Sequence, residues 1–295
     1  MMAIVRSSEL PVSDQDAQLT RERTPVRIAA IGDIHLHAAI PADLAGRLQV
    51  LDDEVDLFVL AGDLTDGGRI PEAELVSELL RDLHTPKIAV LGNHDRRGPR
   101  RVAMRRLIES AGVALLDGSS RVIELTDGRR IAIAGVGGYG GGFWPDETPD
   151  VPGARISKAV GIRARREAGR LDKALDAIDH VEVAARIVVM HYAPTSSTLG
   201  AEPPLKYWML GNSLLGRVID HHDVDLVIHG HAHLGNELGQ TPGGTPVRNV
   251  AMHVTGGPVV YGITRPREIA TLSRLPLIPN AATHDLIEFS GGSTT

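Results

Sequence analysis

Five short clusters of polar residues along the chain carry side chains that bind metals, and each follows an apolar run of strand length. Histidine nitrogens with aspartate and asparagine oxygens suit divalent cations of intermediate hardness. The 295 residues include no cysteine, which excludes disulfides, iron–sulfur clusters and a cysteine nucleophile. A single Gly-Asp or a lone histidine is usually structural, but five such clusters in order predict a metal centre. Its candidate ligands are Asp33, His35, Asp63, Asn93, His191, His231 and His233. Among the other histidines, His229 and His253 are the candidates to contact these ligands on the side away from the metal.

The elements that must position these side chains follow an α/β pattern. The apolar runs before the clusters span residues 26–31, 57–61, 87–91, 187–190 and 226–228. Apolar stripes predict helices within 71–83, 104–111 and 164–178, and two short runs within 122–134 predict a β-hairpin that makes the sheet mixed. Residues 286–289 predict a further strand. Because ligands in α/β proteins collect beyond the carboxyl ends of strands, we expect all five clusters to meet in one crevice.

The clusters read D-x-H, G-D, G-N-H-D, H and G-H-x-H, and in this pattern the chain resembles the calcineurin-like metallophosphoesterase superfamily. The resemblance covers most of residues 26–255. It implies an α/β fold in which two mixed sheets flanked by helices form a four-layer α/β/β/α sandwich. We expect a single domain over residues 25–290, with a flexible N-terminal tail over 1–24 and a short tail over 291–295.

The resemblance also implies two divalent or trivalent transition-metal ions, namely Mn, Fe or Zn. One ion would be held by Asp33, His35, Asp63 and His233, and the other by Asp63, Asn93, His191 and His231. Asp63 would bridge them, one oxygen to each ion. Two such ions activate a bridging water, so that a metal-bound hydroxide attacks the phosphate. His94 would protonate the leaving oxygen, and Asp95 would orient the ring of His94; the alternative for Asp95 is a turn or capping carboxylate.

Departures from better-known branches of the superfamily favour a small substrate. The segment from Gly62 to Gly68 lacks the arginine found there in serine/threonine protein phosphatases. Asp66 stands where purple acid phosphatases have a metal-binding tyrosine, and is interpreted as a turn residue or a residue behind the ligands. The opening D-x-H is similar to that of cyclic-nucleotide phosphodiesterases. We therefore expect hydrolysis of a small phosphodiester or phosphomonoester, nucleotides included.

Six of the nine aromatic residues lie in or beside two loop segments, 135–153 and 194–211, which are expected to cover the crevice. A hydrophobic wall for substrate is one interpretation, and a local cluster under a long loop is the other. On the first interpretation Tyr139, Tyr192 and Trp208 contact the substrate, together with Arg97 near the site. Residues 135–140 also fit G-x-G-x-x-G, but no helical pattern follows, so we expect no dinucleotide-binding turn.

Charge and hydropathy narrow the remaining functions. The chain has 31 basic and 37 acidic residues, a net charge of −6, so a nucleic-acid partner is not expected. The arginine run within 96–106 is interpreted as a solvated helix face, whereas a nuclease would need it exposed beside the metals. A catalytically silent scaffold is the other alternative. With no apolar run near the roughly 18 residues of a membrane span and no secretory signal, we expect a cytoplasmic location.

Overall fold

The polar clusters follow strands that belong to two β-sheets. A computed structural model describes residues 24–147 and 155–275, and these residues form twelve strands. In chain order the strands are β1 (Val26–Ile31), β2 (Leu57–Ala61), β3 (Lys87–Val90), β4 (Val113–Leu115), β5 (Ser119–Glu124), β6 (Arg130–Val136), β7 (Ala185–Met190), β8 (Leu226–His229), β9 (Leu238–Gln240), β10 (Pro246–Asn249), β11 (Val259–Arg265) and β12 (Glu268–Arg274). The α-helices are α1 (Ala42–Asp52), α2 (Ile70–Leu80), α3 (Arg101–Ser110), α4 (Arg155–Asp176), α5 (Tyr207–Leu210), α6 (Ser213–Asp220) and α7 (Met252–Thr255).

Each sheet has six strands and a parallel centre. The order in the first is β12-β11-β1-β2-β3-β4, in which β1 to β4 are parallel and β11 is antiparallel to both of its neighbours. The order in the second is β5-β6-β7-β8-β10-β9, in which the four neighbouring strands β6, β7, β8 and β10 are parallel. The polar clusters follow β1, β2, β3, β7 and β8, which are all parallel strands. They therefore leave both sheets at carboxyl ends, where α/β proteins bind ligands.

The two sheets pack face to face, and helices cover their outer faces. An apolar core lies between the sheets, where Ile28 of β1 and Ile187 of β7 are fully buried. The first sheet packs its outer face on α1, α2 and α3 through residues such as Leu48, and the second on α4 and α6 through residues such as Leu171. Because β2 is buried on both faces, it reads Leu-Phe-Val-Leu-Ala without polar alternation.

Local sequence explains where α2 begins and which face it buries. Pro71 occupies the first turn, where its missing N–H costs nothing. The carboxylate of Glu72 accepts hydrogen bonds from the N–H groups of Gly67 and Arg69 at 2.8 and 3.1 Å, which satisfies donors at the helix start. Val76, Leu79 and Leu80 follow at helical spacing and are buried on the first sheet.

A buried histidine ties α4 to α6 on the second sheet. His222 follows α6, and its two ring nitrogens lie 2.6 Å from Asp179 and 3.0 Å from Asp172. Burial lowers the pKa of His222, but the hydrogen bonds to the two carboxylates outweigh burial and hold the pKa above its ordinary value. The protonated ring donates at both nitrogens and so joins the two helices.

The predicted four-layer sandwich is confirmed, as are the strands before the clusters, the helices α2, α3 and α4, and the β5–β6 hairpin. The described residues that directly follow the Gly-rich segment 135–140, namely 141–147, form no helix. The predicted strand at 286–289 and the tails, apart from Thr24, lie outside the described residues, and the domain bounds stay predictions. Within the described ranges, no helix is both long and apolar enough to cross a membrane.

Candidate metal centre

Several of the predicted ligands are presented by backbone in the left-handed region. Asp33, His35, Asp63 and His231 have φ angles of 55°, 48°, 49° and 70°, and only one other non-glycine residue of the described chain has a positive φ. Such conformations cost about 1–3 kcal/mol each and cluster at functional sites. The N–H of Asp33 donates to the carbonyl of Gly62 at 2.9 Å, and the N–H of His35 to that of Asp63 at 3.0 Å. These hydrogen bonds hold the loops after β1 and β2 against each other.

The predicted ligands of the first ion come together. Nε2 of His233 lies 2.9 Å from Oδ1 of Asp33, and Nε2 of His35 lies 4.0 Å from the same oxygen. Nε2 of His35 is also 3.9 Å from Oδ2 of Asp63. Donor atoms that share one ion at about 2.1 Å lie about 3–4 Å from one another, so this spacing suits a single metal. The second oxygen of Asp33 accepts the N–H of His231 at 2.9 Å, which fixes the carboxylate.

The predicted ligands of the second ion also converge. Nε2 of His191 lies 3.3 Å from Oδ2 of Asp63 and 3.1 Å from Oδ1 of Asn93. Asp63, His191 and His231 each offer a ligand atom within 4.8 Å of the others. Nε2 of His231 donates to the carbonyl of Met209 at 3.2 Å, which leaves Nδ1 as the nitrogen with a lone pair. Burial lowers the pKa of His231 to about 3, so the ring is in the neutral form that binds metal.

Asp63 lies between the two groups and faces both of them with one oxygen. Oδ2 points toward His35 and His191, while Oδ1 accepts the N–H of His94 at 2.8 Å. Oδ1 thus already accepts one backbone hydrogen bond, and the bridging role of Asp63 stays a prediction. Gly92 makes the arrangement possible: a Cβ there would lie 2.1 Å from Oδ1 of Asp63.

The electrostatics of these residues suit a bound cation. Asp33 and Asp63 are 0% and 1% exposed, and within the described residues their ion-pair partners are all histidines. Burial lowers the pKa of His191, but Asp63 beside it raises the pKa to about 9. Nε2 of His35 is buried without a hydrogen-bond partner. Two buried carboxylates next to an unpaired ring nitrogen fit a metal, which would take the place of protons on these groups.

His94 lies at the open edge of the site. Its Nδ1 is 2.6 Å from the backbone carbonyl of Asp66 and 3.0 Å from a guanidinium nitrogen of Arg97. The carbonyl can only accept a hydrogen bond, so Nδ1 carries one proton, Nε2 is the nitrogen that can gain and release a second proton, and Arg97 is a neighbouring charge. Nε2 of His94 then faces the metal ligands, 4.0 Å from Oδ2 of Asp63. The atom that can deliver a proton is therefore directed into the site.

Asp95 does not make the contact predicted for it. Its hydrogen bonds come from the N–H groups of Leu64, Thr65 and Gly92 at 3.3, 2.8 and 2.9 Å, and from the hydroxyl of Thr65 at 2.7 Å. Burial, with the nearby charge of Asp63, raises the pKa of this fully buried carboxyl. The orienting contact to His94 comes instead from the carbonyl of Asp66, because the carboxylate of Asp95 points back at the loop after β2.

Aromatic side chains form a wall beside the second group of ligands. The ring centroid of Tyr192 lies 4.3 Å from that of His231, and Tyr139 lies 5.9 Å from Tyr192. The carbonyl of Trp208 accepts the N–H of Gly141 at 2.7 Å, which joins the two predicted loop segments, and the Trp208 side chain is partly exposed. Of the predicted substrate contacts, Tyr192 thus adjoins a predicted ligand and Tyr139 adjoins Tyr192, whereas Arg97 adjoins His94.

Sequence reasoning missed two groups next to the site. The first is the backbone carbonyl of Met209, which accepts a hydrogen bond from His231. The second is Arg163, whose Cζ lies 4.6 Å from the ring centroid of Tyr139. No periodic pattern distinguishes Arg163 from the other exposed arginines of α4, so only its tertiary contact identifies it. The ring of His253 lies behind a ligand, as expected, because it stacks on that of His233 with centroids 4.1 Å apart.

The sequence of this chain matches a protein family and a curated protein. A family model described as calcineurin-like phosphoesterase matches residues 26–235, which include all seven predicted ligands. The chain is similar to a 3′,5′-cyclic-nucleotide phosphodiesterase of Nostoc sp., with 35% identity over 86 residues, which are 25% of this chain and 32% of that protein. The match thus spans about a third of the relative's length.

Solved structures share the fold. TT1561 of Thermus thermophilus superposes with a TM-score of 0.54 and 18% identity over 84% of this chain and 98% of that one. A putative 5′-nucleotidase from Staphylococcus aureus gives a TM-score of 0.55 and 13% identity over 88% of this chain and 55% of that one. At such identities the likeness concerns the fold alone, and membership rests on the family model, which matches well over half of the residues. The chain belongs to the calcineurin-like phosphoesterase family.

Proposed function

We propose that this protein hydrolyses a small phosphodiester or phosphomonoester with the help of two transition-metal ions, Mn, Fe or Zn. The observation that carries the proposal is the pair of aspartate–histidine groups that share Oδ2 of Asp63, with His94 at their open edge. The Nostoc relative is named a cyclic-nucleotide phosphodiesterase, which supports substrates of nucleotide type.

In the proposed reaction the protein residues bind the ions and the phosphate, orient the ring of His94 and transfer one proton. One ion would be held by Asp33, His35, Asp63 and His233, and the other by Asp63, Asn93, His191 and His231. When bound, such ions activate a water molecule and neutralise the charge of the phosphate. His94 holds a proton on Nε2 and gives it to the leaving oxygen, while its Nδ1–H bond to the carbonyl of Asp66 keeps the ring in place. The guanidinium of Arg97 lies where it can bind a phosphate oxygen.

The contacts of the arginine run favour a small substrate over a nucleic acid. Arg96 and Arg105 turn toward Asp117 and lie 3.2 and 4.0 Å from its carboxylate. The run therefore does not form a single exposed cationic face beside the metals, as a nuclease would need. The complete ligand set and the retained His94 favour an enzyme over a silent scaffold on this fold.

The test combines metal analysis with turnover. Protein stripped by a chelator is reloaded with Mn²⁺, Fe²⁺ or Zn²⁺ and assayed with bis(p-nitrophenyl) phosphate and p-nitrophenyl phosphate. His94→Ala should keep its metal and lose about 100-fold or more in kcat, since a general acid contributes on that scale. Asp63→Asn should lose both metal and turnover, whereas Asp82→Asn, at an exposed position, serves as the matched control. Turnover that survives both site substitutions refutes the proposal.

A further inference from the structure

A row of side chains leads away from the metal ligands and ends in a cation. From His231 the row passes to Tyr192, Tyr139 and Arg163, with separations of 4.3, 5.9 and 4.6 Å between successive groups. Both tyrosines are partly exposed, and Arg163 is exposed. The row thus offers two aromatic faces and then a guanidinium to anything that extends outward from the second group of ligands.

The structure holds this row in place. Nδ2 of Asn212, a buried side chain, donates to the carbonyl of Tyr139 at 2.6 Å and fixes the loop that carries the ring. Ala164, next to Arg163 on α4, packs so closely on Gly141 that a Cβ on that glycine would lie 2.9 Å from the alanine methyl. The helix therefore presents its arginine to the loop through backbone packing, and the stacked pair has a defined position.

Arg163 has the chemistry of an anion-binding residue, and the part of the chain that the structure describes offers it no carboxylate partner. Within the described residues no carboxylate lies within ion-pair distance of its guanidinium, whereas Arg96 and Arg170 nearby both pair with Asp117. The contact with Tyr139 places the guanidinium over the aromatic ring, 4.6 Å from the ring centroid to Cζ. The N–H edges of a guanidinium match the geometry of a phosphate, which arginine binds through two parallel hydrogen bonds.

We propose that Tyr192, Tyr139 and Arg163 form a subsite for the far end of the substrate, which carries an aromatic ring and then a second anionic group such as a terminal phosphate. This inference rests on the proposed function, in that the scissile phosphate lies at the metal ligands. It specifies the substrate class as a phosphodiester with a further phosphate, for example a short 5′-phosphorylated oligonucleotide.

Two dinucleotides that differ only in the terminal phosphate provide the test. The wild-type enzyme, loaded with Mn²⁺, should hydrolyse pApA with a kcat/KM about tenfold above that for ApA, since a charge-assisted pair contributes on that scale. Arg163→Gln should bring the ratio of the two substrates close to one. Arg166→Gln, also exposed on α4, is the matched control and should keep the wild-type ratio. A wild-type ratio near one, or an unchanged ratio in Arg163→Gln, overturns the inference.

A binding experiment separates failure of the subsite from failure of the proposed function. Calorimetric titration of the His94→Ala protein with adenosine 3′,5′-bisphosphate and with AMP needs no turnover. The bisphosphate should bind about tenfold more tightly, and Arg163→Gln in the same background should abolish the difference. Equal affinities refute the subsite even if aryl esters are hydrolysed. Conversely, absence of aryl ester hydrolysis by the wild type refutes the proposed function, and the binding difference then decides the subsite alone.

Discussion

Replacing Asp95 with asparagine tests whether this carboxylate holds the site together or serves the ring of His94. In the structure Oδ1 accepts the N–H and hydroxyl of Thr65, and Oδ2 accepts the N–H groups of Leu64 and Gly92. The carboxylate therefore joins the turn after β3 to the loop after β2. We expect Asp95→Asn to destabilise the whole protein as well as to slow it.

The size of the effect follows from counting donors. An asparagine has one acceptor oxygen, so its NH₂ group must face one of the two pairs of donors. If it faces Thr65, the hydroxyl can rotate to accept, and one backbone N–H is left unpaired; if it faces Leu64 and Gly92, two are left unpaired. Each buried donor without an acceptor costs about 1–3 kcal/mol, and relief of the repulsion between the carboxylates of Asp95 and Asp63 offsets part of this cost. We expect a loss of about 2–4 kcal/mol in the free energy of unfolding.

Urea denaturation of the chelator-treated protein measures this loss without a contribution from metal binding. Asp82→Asn, which alters an exposed aspartate, should unfold at the wild-type midpoint. Thr65→Val, which removes the hydroxyl donor to Asp95 and the hydroxyl acceptor of the Gly68 N–H, should lie between the two with a loss of about 1 kcal/mol. An Asp95→Asn protein within about 1 kcal/mol of the wild type but with a strongly altered pH–rate profile would show that Asp95 acts through His94, contrary to the contacts described above.

Three further predictions concern positions around the site and the fold. Gly92→Ala places a methyl group 2.1 Å from Oδ1 of Asp63 and should reduce the metal content, measured by elemental analysis, below that of the wild type, whereas Gly46→Ala, whose methyl group meets no atom within 4 Å, should keep the wild-type metal content. Asp66→Asn should keep kcat within about fivefold, because the backbone carbonyl holds His94 and exposed pairs contribute only about 0–1 kcal/mol; a loss equal to that of His94→Ala would contradict this. Because the pKa of His222 is raised, its contribution is complete below about pH 6.5 and is lost as pH rises through the folded-state pKa. His222→Gln should therefore flatten the fall in unfolding free energy between neutral and alkaline pH, and an unchanged slope would contradict this.

The sequence predicts those features of the fold and the site whose signal lies in a short stretch of the chain. The convergence of the predicted ligands at the ends of β1, β2, β3, β7 and β8 could be predicted because residue type and position after an apolar run are both visible in the chain. β12 could not, because its residues are mostly exposed and carry no apolar period. The hydrogen-bond partners of Asp95 could not be predicted either, since they depend on how the chain turns after His94. Arg163 is one of several exposed arginines on a helix, and only its place above Tyr139 distinguishes it.

Hydrogen bonds between the two sheets also oppose the backbone strain at the predicted ligands. Nδ1 of His191, on the second sheet, lies 2.9 Å from the carbonyl of Ala61 at the end of β2, and the N–H of His231 donates to Asp33 after β1. Each contact fixes a ligand from one sheet by a group from the other, so the separated sheets would leave the left-handed residues free to relax. The predicted ligands of either ion come from both sheets and are scattered in the unfolded chain. Metal bound by these residues would therefore favour the packed state of the sheets over every other state of the chain.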